Sequence, residues 1–492
     1  MRPPRARVRR CAAALLVGAM LVACSSKRAV PDAPADGAVG LPEAAPPSPV
    51  SAASVASAAS SPDAKAPADP RAAFGDWLRA HLPRNASGKV VPKEGGFAVV
   101  HKAASGDSAL SIATAYLDLT DVYRAKDLAA EISKTYQAFS EGADIEIPHL
   151  LTAPYKEPDE GRLGWPADRA LKGVFITGVF AGLFWPDTIE KVAARGLNAI
   201  VLDGKDYQGP VTHPTEVKIA LEIDAAKNAP IPDFRRAIRF AHDRGIRIIV
   251  RIPCFHDPWA AKRAPRLSLM GNWGAPFPMG WLDPTNVEAE DYAIELAKEA
   301  IADGADEIQL DYVRFPVTGQ SLKAAVMPPA DGHRSQAIRK FVDRVHEVTS
   351  AKKVALSLDI FGVAATGDLS DIEALGQNMA TIGGGAEALS PMVYPSHYSK
   401  GYLGFDEPGN HPEIIGIGTR SALAKLAAAK NKTTVIRPWL QASAYKASAY
   451  GPNYIQDEIR SAESSGAVGW LMWDPANSYW AVWQAIPKLP KE

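Results

Sequence analysis

The chain has 492 residues, of which 47% are hydrophobic and 22% charged, so a large core is possible and wholesale disorder is excluded. Its net charge of −1 does not imply a basic face of nucleic-acid-binding strength, and we expect no nucleic-acid partner. Three cysteines are too few for a disulfide-stapled scaffold.

The first 24 residues have the organisation of an export signal. Residues 1–23 hold five arginines and no acidic residue, and the apolar run at 11–23 is too short to span a bilayer. The run ends in Leu21-Val22-Ala23-Cys24, which resembles a bacterial lipobox. The resemblance implies that Cys24 is lipidated after removal of residues 1–23, and ordinary cleavage at a small residue is the alternative. Because Ser25 rather than Asp follows, the analogy implies an outer-membrane protein that faces the periplasm or the surface.

Residues 24–70 consist mainly of Ala, Pro and Ser with scattered charges. Such a segment has too few large apolar side chains to offset the entropy lost on folding. The composition predicts a disordered, semi-extended tether between the membrane anchor and the folded part.

Residues 71–160 form a small intermediate region with an expected α+β fold. Residues 99–116 resemble the first half of a LysM module, and residues 142–148 resemble its closing strand. LysM modules bind N-acetylglucosamine polymers, so the resemblance implies peptidoglycan as a possible partner. A spacer without a ligand is the alternative.

Residues 165–487 alternate β-rich runs with helical patterns. The runs lie at 173–182, 197–203, 246–252, 306–315, 354–361, 386–394, 433–440 and 467–474. Consecutive apolar positions in several of them suit strands that are buried on both faces of a parallel sheet. Eight strands, each followed by a helix, predict a (β/α)8 TIM barrel. The rival is a doubly wound open sheet, which is disfavoured because it usually has fewer strands and because no phosphate-loop glycine pattern follows the first run.

The ends of these runs carry an unusual set of side chains. In a barrel of this kind the reacting groups lie at the carboxyl ends of the strands. Carboxylates, Arg, Tyr and Trp gather there, which is typical of a sugar-binding site. The candidates for substrate binding are Asp203, Lys205, Arg251, Arg314, Tyr394, His397, Trp439, Trp473 and Asp474.

Five motifs at these ends resemble those of one bacterial family. They are LDGKD (202–206), LDYVRFP (310–316), LDIFG (358–362), SPMVYPSHY (390–398) and GWLMWD (469–474). Together they make the barrel similar to a family of putative glycoside hydrolase domains, long known only as a domain of unknown function and related to α-amylase and α-galactosidase type barrels. The resemblance implies the fold and a hydrolase that needs no cofactor or metal, but not the sugar.

Glycoside hydrolysis needs two carboxyl groups across the scissile bond. Asp311 takes the strand-four position that carries the nucleophile in the related barrels, and Arg314 is expected to favour its ionised form if the two approach. Asp359, beside apolar and aromatic neighbours, is the expected acid/base. Asp474 is a reserve acid. A structural role, as a helix cap or an ion-pair partner, is the alternative for each Asp, and Asp203 could simply pair with Lys205.

Three functions remain open at this point. The first is a lipid-anchored glycoside hydrolase acting on a cell-envelope or extracellular polysaccharide. The second is a carbohydrate-binding protein whose barrel has no activity. The third is a metal-dependent hydrolase or lyase, for which the sequence shows only scattered histidines.

Overall fold

The computed structural model describes residues 69–271, 273–316 and 333–490. The predicted export signal, Cys24 and almost all of the predicted tether therefore lie outside the described residues. In the described part of the chain, no helix is both long and apolar enough to span a lipid bilayer.

The first elements build a small module around a three-stranded antiparallel sheet in the order β1-β2-β3. They are α1 (Pro70–Ala80), β1 (Gly88–Lys93), β2 (Gly96–Lys102), α2 (Ala109–Tyr116), α3 (Ala125–Thr135) and β3 (Asp144–Glu146). The order strand–helix–helix–strand from β2 to β3 follows the segments that the sequence singled out. A short helix, α4 (Pro158–Gly161), leads to the barrel.

The second region is a (β/α)8 barrel. Its strands are β4 (Leu171–Ile176), β5 (Ala199–Asp203), β6 (Arg247–Pro253), β7 (Glu307–Asp311), β8 (Ala355–Phe361), β9 (Ala388–Met392), β10 (Val435–Ile436), β11 (Trp439–Gln441) and β12 (Gly469–Trp473). Its helices are α5 (Gly178–Ala193), α6 (Lys218–Glu222), α7 (Phe234–His242), α8 (Pro258–Arg263), α9 (Val287–Ala302), α10 (Arg334–Ala351), α11 (Gly362–Thr366), α12 (Leu369–Leu375), α13 (Met379–Ile382), α14 (Glu413–Ala428), α15 (Pro452–Glu463) and α16 (Trp480–Ala485).

The barrel closes through a divided seventh strand. The described strands pair in parallel in the order β10-β9-β8-β7-β6-β5-β4-β12-β11. β10 pairs with β9, whereas β11, only two residues further along the chain, pairs with β12. Arg437 and Pro438 stand between the two halves, so β10 and β11 together form the predicted seventh strand.

The sequence placed most strands correctly, and the differences have local causes. The predicted run 173–182 ends as a strand at Ile176, because the Thr177 side chain accepts a hydrogen bond from the Phe180 N–H and caps α5. The glycines before four of the strands, which the strand–helix pattern requires for chain reversal, have the positive φ of a helix C-terminus: Gly196, Gly245, Gly304 and Gly466.

Candidate active site

Three aspartate side chains point into the barrel interior, because successive side chains of a strand alternate between its two faces. Leu202, Leu310 and Leu358 belong to the core between strands and helices. Because successive side chains point to opposite faces of a strand, the residues that follow them point inward: Asp203, Asp311 and Asp359. All three lie at or near the carboxyl ends of β5, β7 and β8.

Arg251 on β6 connects these carboxyl groups. Its Nη1 donates to Asp203 Oδ1 at 2.6 Å, and its Nε and Nη2 donate to Asp311 Oδ2 at 3.0 and 2.6 Å. Its Nε also lies 3.9 Å from Asp359 Oδ2. Burial alone would lower the pKa of Arg251, but the three surrounding carboxyl groups raise it well above its usual value. The site is thus organised around one permanent positive charge.

Both oxygens of Asp311 are held. Oδ2 accepts from Arg251, and Oδ1 accepts from the backbone N–H of Tyr312 at 2.6 Å. Tyr312 has a φ of +48°, a left-handed conformation that non-glycine residues seldom adopt. This turn at the end of β7 places its N–H beside the preceding carboxyl group. Asp311 is therefore fixed in orientation by charged and backbone donors.

Asp359 lies in a different environment, although it is on the adjacent strand. Its side chain is only 1% exposed, and its Oδ1 accepts from Trp439 Nε1 at 2.6 Å. Burial, reinforced by the negative charge of Asp311, raises the pKa of Asp359 well above its ordinary value, and this outweighs the opposing effects of Arg251 and Trp439. The surroundings of Asp359 consequently favour its protonated form over its carboxylate.

Asp311 and Asp359 are close enough to act on one bond. Their Oδ2 atoms contact the same Arg251 nitrogen at 3.0 and 3.9 Å, so these two atoms are no more than about 7 Å apart. Carboxyl separations of about 5–5.5 Å are found in retaining enzymes, and about 6.5–9.5 Å in inverting ones. The bound applies to these two oxygen atoms alone, and it is compatible with both ranges.

Asp203 completes the network on the far side of Arg251. Burial raises its pKa to about 7, against the opposing charge of Arg251. Its observed partner is Arg251 and not Lys205, which corrects one of the alternatives from the sequence. Asp203 thus orients the guanidinium that holds Asp311.

Lys205 and Arg314 do not join the carboxyl cluster. Lys205 is buried and donates from Nζ to Asp257 Oδ2 at 2.7 Å, so its substrate-binding role is not supported. Arg314 donates to the carbonyl of Phe315, and its guanidinium lies 4.9 Å from the Trp281 ring and 4.7 Å from the Phe361 ring. Among the described residues Arg314 forms no ion pair with Asp311, so the close approach on which its predicted effect depended is not seen.

The predicted substrate-binding role of Trp439 is not supported either. Its side chain is 1% exposed and hydrogen-bonded to Asp359, so it presents no ring face to a sugar in this structure. Its position follows from the divided seventh strand, because β11 begins at Trp439 directly after Pro438. Trp439 positions Asp359.

Tyr394, His397 and Trp473 form one aromatic group on the rim. The Tyr394 ring lies 5.1 Å from Trp473 and 5.0 Å from His397, and Tyr394 is buried whereas His397 is exposed. Burial raises the pKa of Tyr394 well above its usual value, and the charges of Asp359 and Asp311 add to this effect. Asp474 faces away into its own loop, where it accepts from the N–H groups of Ala476 and Ser478.

Sequence reasoning gave no role to three residues of the rim, of which only Tyr312 belongs to a motif named above. Tyr312 supplies the N–H to Asp311, and its ring stacks on His256 at 4.9 Å. The ring of Tyr207 lies parallel to His256 at 6.2 Å. Each follows a strand end by one to four residues, so a search for aromatic residues directly after the strands would have found them.

No metal site emerges from the described residues. Within residues 69–271, 273–316 and 333–490, no group of three or more His, Cys, Asp or Glu side chains is arranged to hold a metal ion.

Comparisons with known proteins identify the barrel. The model of a family described as "Putative glycosyl hydrolase domain" matches residues 173–479. A comparison with the curated proteins found no match.

Solved structures also resemble the chain. A hypothetical protein from Ruminiclostridium thermocellum is 30% identical over 38% of this chain and 96% of that chain, with a TM-score of 0.35. The glycoside hydrolase domain of PgaB (BpsB) from Bordetella bronchiseptica is 13% identical over 65% of this chain and 99% of that chain, with a TM-score of 0.46. An α-galactosidase from Thermus thermophilus is 17% identical over 68% of this chain and 62% of that chain, with a TM-score of 0.41.

Proposed function

The chain belongs to the family of putative glycosyl hydrolase domains, and from this premise we propose that it hydrolyses a glycosidic bond of a polysaccharide with Asp311 and Asp359. The observation that carries the proposal is the contrast between two neighbouring carboxyl groups. Asp311 is bonded through both oxygens to donors, whereas Asp359 is buried with a raised pKa. An ionised and a protonated carboxyl group side by side are what this reaction requires.

The roles follow from the contacts. Asp311, held by Arg251, is the carboxylate that attacks the anomeric carbon or activates water. Asp359 donates its proton to the departing glycosidic oxygen. Because Oδ1 of Asp359 is bonded to Trp439, Oδ2 carries that proton. Asp203 keeps Arg251 in place and so keeps Asp311 oriented.

The location and the small module belong to the proposal as well. The lipobox-like Cys24 supports a lipid anchor, and the absence of Asp after it supports the outer membrane. The LysM-like pattern of the module supports peptidoglycan as a second ligand. These features make a cell-envelope or extracellular polysaccharide the substrate we propose.

A non-catalytic glycan-binding barrel is the second candidate. It is favoured by one observation, the burial of the carboxyl groups, since the side chain of Asp311 is only 7% exposed. In that case the carboxyl groups would serve only to hold Arg251 and the rim. The two candidates differ in a measurable way, because only the first releases new reducing ends.

The test is hydrolysis of a panel of glycans by the full chain. Peptidoglycan strands, chitin oligosaccharides and bacterial extracellular polysaccharides are incubated with the protein, and new reducing ends are measured. We expect Asp311→Asn to lower the rate by on the order of 10⁴-fold and Asp359→Asn by about 10²–10⁴-fold, with unchanged circular dichroism.

The matched control is Asp187→Asn, which changes an exposed carboxylate on α5 and should keep the parent rate. If Asp311→Asn retained full hydrolysis, the assignment would be refuted. If the parent bound a glycan of the panel without releasing reducing ends, the glycan-binding alternative would replace the enzyme.

A further inference from the structure

The carboxyl cluster is flanked by an aromatic group that no role yet covers. Tyr207, His256, Tyr312 and Trp281 lie in the segments after β5, β6 and β7. His256 stacks on Tyr312 at 4.9 Å with 26° between the rings, and the edge of Trp281 meets His256 at 5.3 Å. We name these four residues wall A. Its outermost ring, Tyr207, is 43% exposed.

A second group follows three other strands. Tyr394, His397, Tyr445 and Trp473 lie after or at the ends of β9, β11 and β12, and we name them wall B. The His397 ring is 6.1 Å from Tyr445 and 6.2 Å from Trp473. Tyr445 is 44% exposed, so wall B also has an outer ring that solvent reaches.

The order of strands sets the two walls on opposite sides of the barrel mouth. With β10 and β11 counted as one strand, the closed barrel has eight positions. β5 is then opposite β9, β6 is opposite the divided strand, and β7 is opposite β12. The three strands of wall A thus face the three strands of wall B. Arg251 contacts both Asp311 and Asp359, the two carboxyl groups of the proposed reaction.

Aromatic rings on two sides of a hydrolytic pair have a chemical meaning. The C–H faces of pyranose rings pack on aromatic rings, while hydroxyl groups bond to charged side chains. A single wall would hold a sugar on one side of the scissile bond. Two opposed walls hold sugars on both sides.

We propose that walls A and B are saccharide subsites on opposite sides of Asp311 and Asp359, so that a polysaccharide lies across the mouth and is cleaved within its chain. This inference rests on the proposed hydrolase function and adds the mode of cleavage. Tyr207 and Tyr445, as the exposed outer rings, contact sugars that are not at the scissile bond.

The experiment follows product size on the glycan of the panel that the full chain hydrolyses best. Cleavage within the chain predicts that size-exclusion chromatography shows a fall in polymer length before monosaccharide accumulates. Tyr207→Ala and Tyr445→Ala should each raise KM about three- to tenfold with little change in kcat, while Tyr207→Phe and Tyr445→Phe stay near the parent. Phe184→Ala, on the outer surface of α5 and 45% exposed in the parent, is the matched control and should leave KM unchanged.

The outcomes separate this inference from the proposed function. Hydrolysis that releases only monosaccharide, or a KM that responds to one wall alone, overturns the two-sided site and leaves the hydrolase intact. If no glycan is hydrolysed, the two walls are tested by binding. Affinity electrophoresis of Asp311→Asn in gels that contain each polysaccharide measures how strongly the protein is retarded. If Tyr207→Ala and Tyr445→Ala each weaken this retention, the two walls bind glycan although the protein is not a hydrolase. If retention is unchanged in these variants, or if the protein is not retained at all, the two walls are refuted.

Discussion

Asp311 and Asp359 show how neighbouring residues of one type acquire different chemistry. Their placement was predictable, because inward positions at the ends of parallel strands follow from alternation and from barrel geometry. Their partners were not. Arg251 lies 60 residues before Asp311 and meets it only through strand pairing. Arg314 is close in sequence, but its guanidinium donates to the carbonyl of Phe315.

The hydrogen bond from Trp439 to Asp359 makes a prediction about pH. The bond stabilises the carboxylate and so lowers the pKa of Asp359, which burial and Asp311 otherwise raise. Trp439→Phe removes the donor, and the pKa of Asp359 should rise further. Because the reaction needs the protonated acid, we expect the alkaline limb of the kcat profile to move to higher pH, as measured by reducing-end release across pH.

The control for this shift is Trp470→Phe. Trp470 is also buried, and its Nε1 donates to Glu463 at 3.1 Å, in contact with a carboxylate outside the site. Its profile should coincide with that of the parent. A limb that stays in place in Trp439→Phe, or moves to lower pH, contradicts the role of Asp359 as the acid.

At the scale of elements, the barrel interior combines an apolar and a polar half. Val201 on β5 and Ile249 on β6 contribute to an apolar interior cluster with Phe175. Beside Ile249, on the neighbouring strand β7, Glu307 forms a fully buried ion pair with Arg437, and Trp165 Nε1 donates to Glu307 at 2.7 Å. The division of the seventh strand was not predicted, although Pro438 inside run 433–440 indicates a break, because proline has no N–H to donate to a strand ladder.

This buried pair predicts a non-additive effect on stability. Glu307→Leu leaves the Arg437 guanidinium buried without its carboxylate, and the free energy of unfolding should fall by about 3–5 kcal/mol. The double variant Glu307→Leu/Arg437→Met removes both charges and should recover most of that loss. Denaturant unfolding followed by circular dichroism measures the cycle. Losses that simply add would show that the two side chains are not coupled.

For the whole molecule, the alternation of strands and helices was sufficient to predict the barrel, but the attachment of the small module to it was not. Arg236 of α7, whose placement no local pattern specifies, makes several hydrogen bonds across this contact, beside the Tyr123–Phe240 ring pair at 5.1 Å and the Arg239–Asp118 ion pair at 3.7 Å. Arg236 is buried and donates to the Asp118 carboxylate at 2.8 Å and to the Leu117 carbonyl at 2.9 Å. It also donates to the carbonyls of Tyr123 and Val122.

Because one guanidinium satisfies so many acceptors, its loss should free the module from the barrel. Arg236→Ala leaves the carbonyls of residues 117–123 without their charged donor, and bonds of this kind contribute about 1.5–3 kcal/mol each. We expect faster amide hydrogen exchange in residues 117–124 and faster proteolysis between the module and the barrel, with unchanged exchange in strands β5 to β8.

The adjacent residue supplies the matched control. Arg235 has the same charge and lies on the same helix, but it is half-exposed, and among the described residues its side chain bonds to Glu157 alone, at 2.8 Å. Exposed ion pairs of this type contribute about 0–1 kcal/mol to stability. The amide hydrogens of residues 117–124 should therefore exchange at the parent's rate in Arg235→Ala. Equal exchange in the two variants would mean that the module is held by its apolar contacts. A difference confined to Arg236→Ala would show that the buried guanidinium, and not merely a positive charge on α7, stabilises residues 117–124 against the barrel.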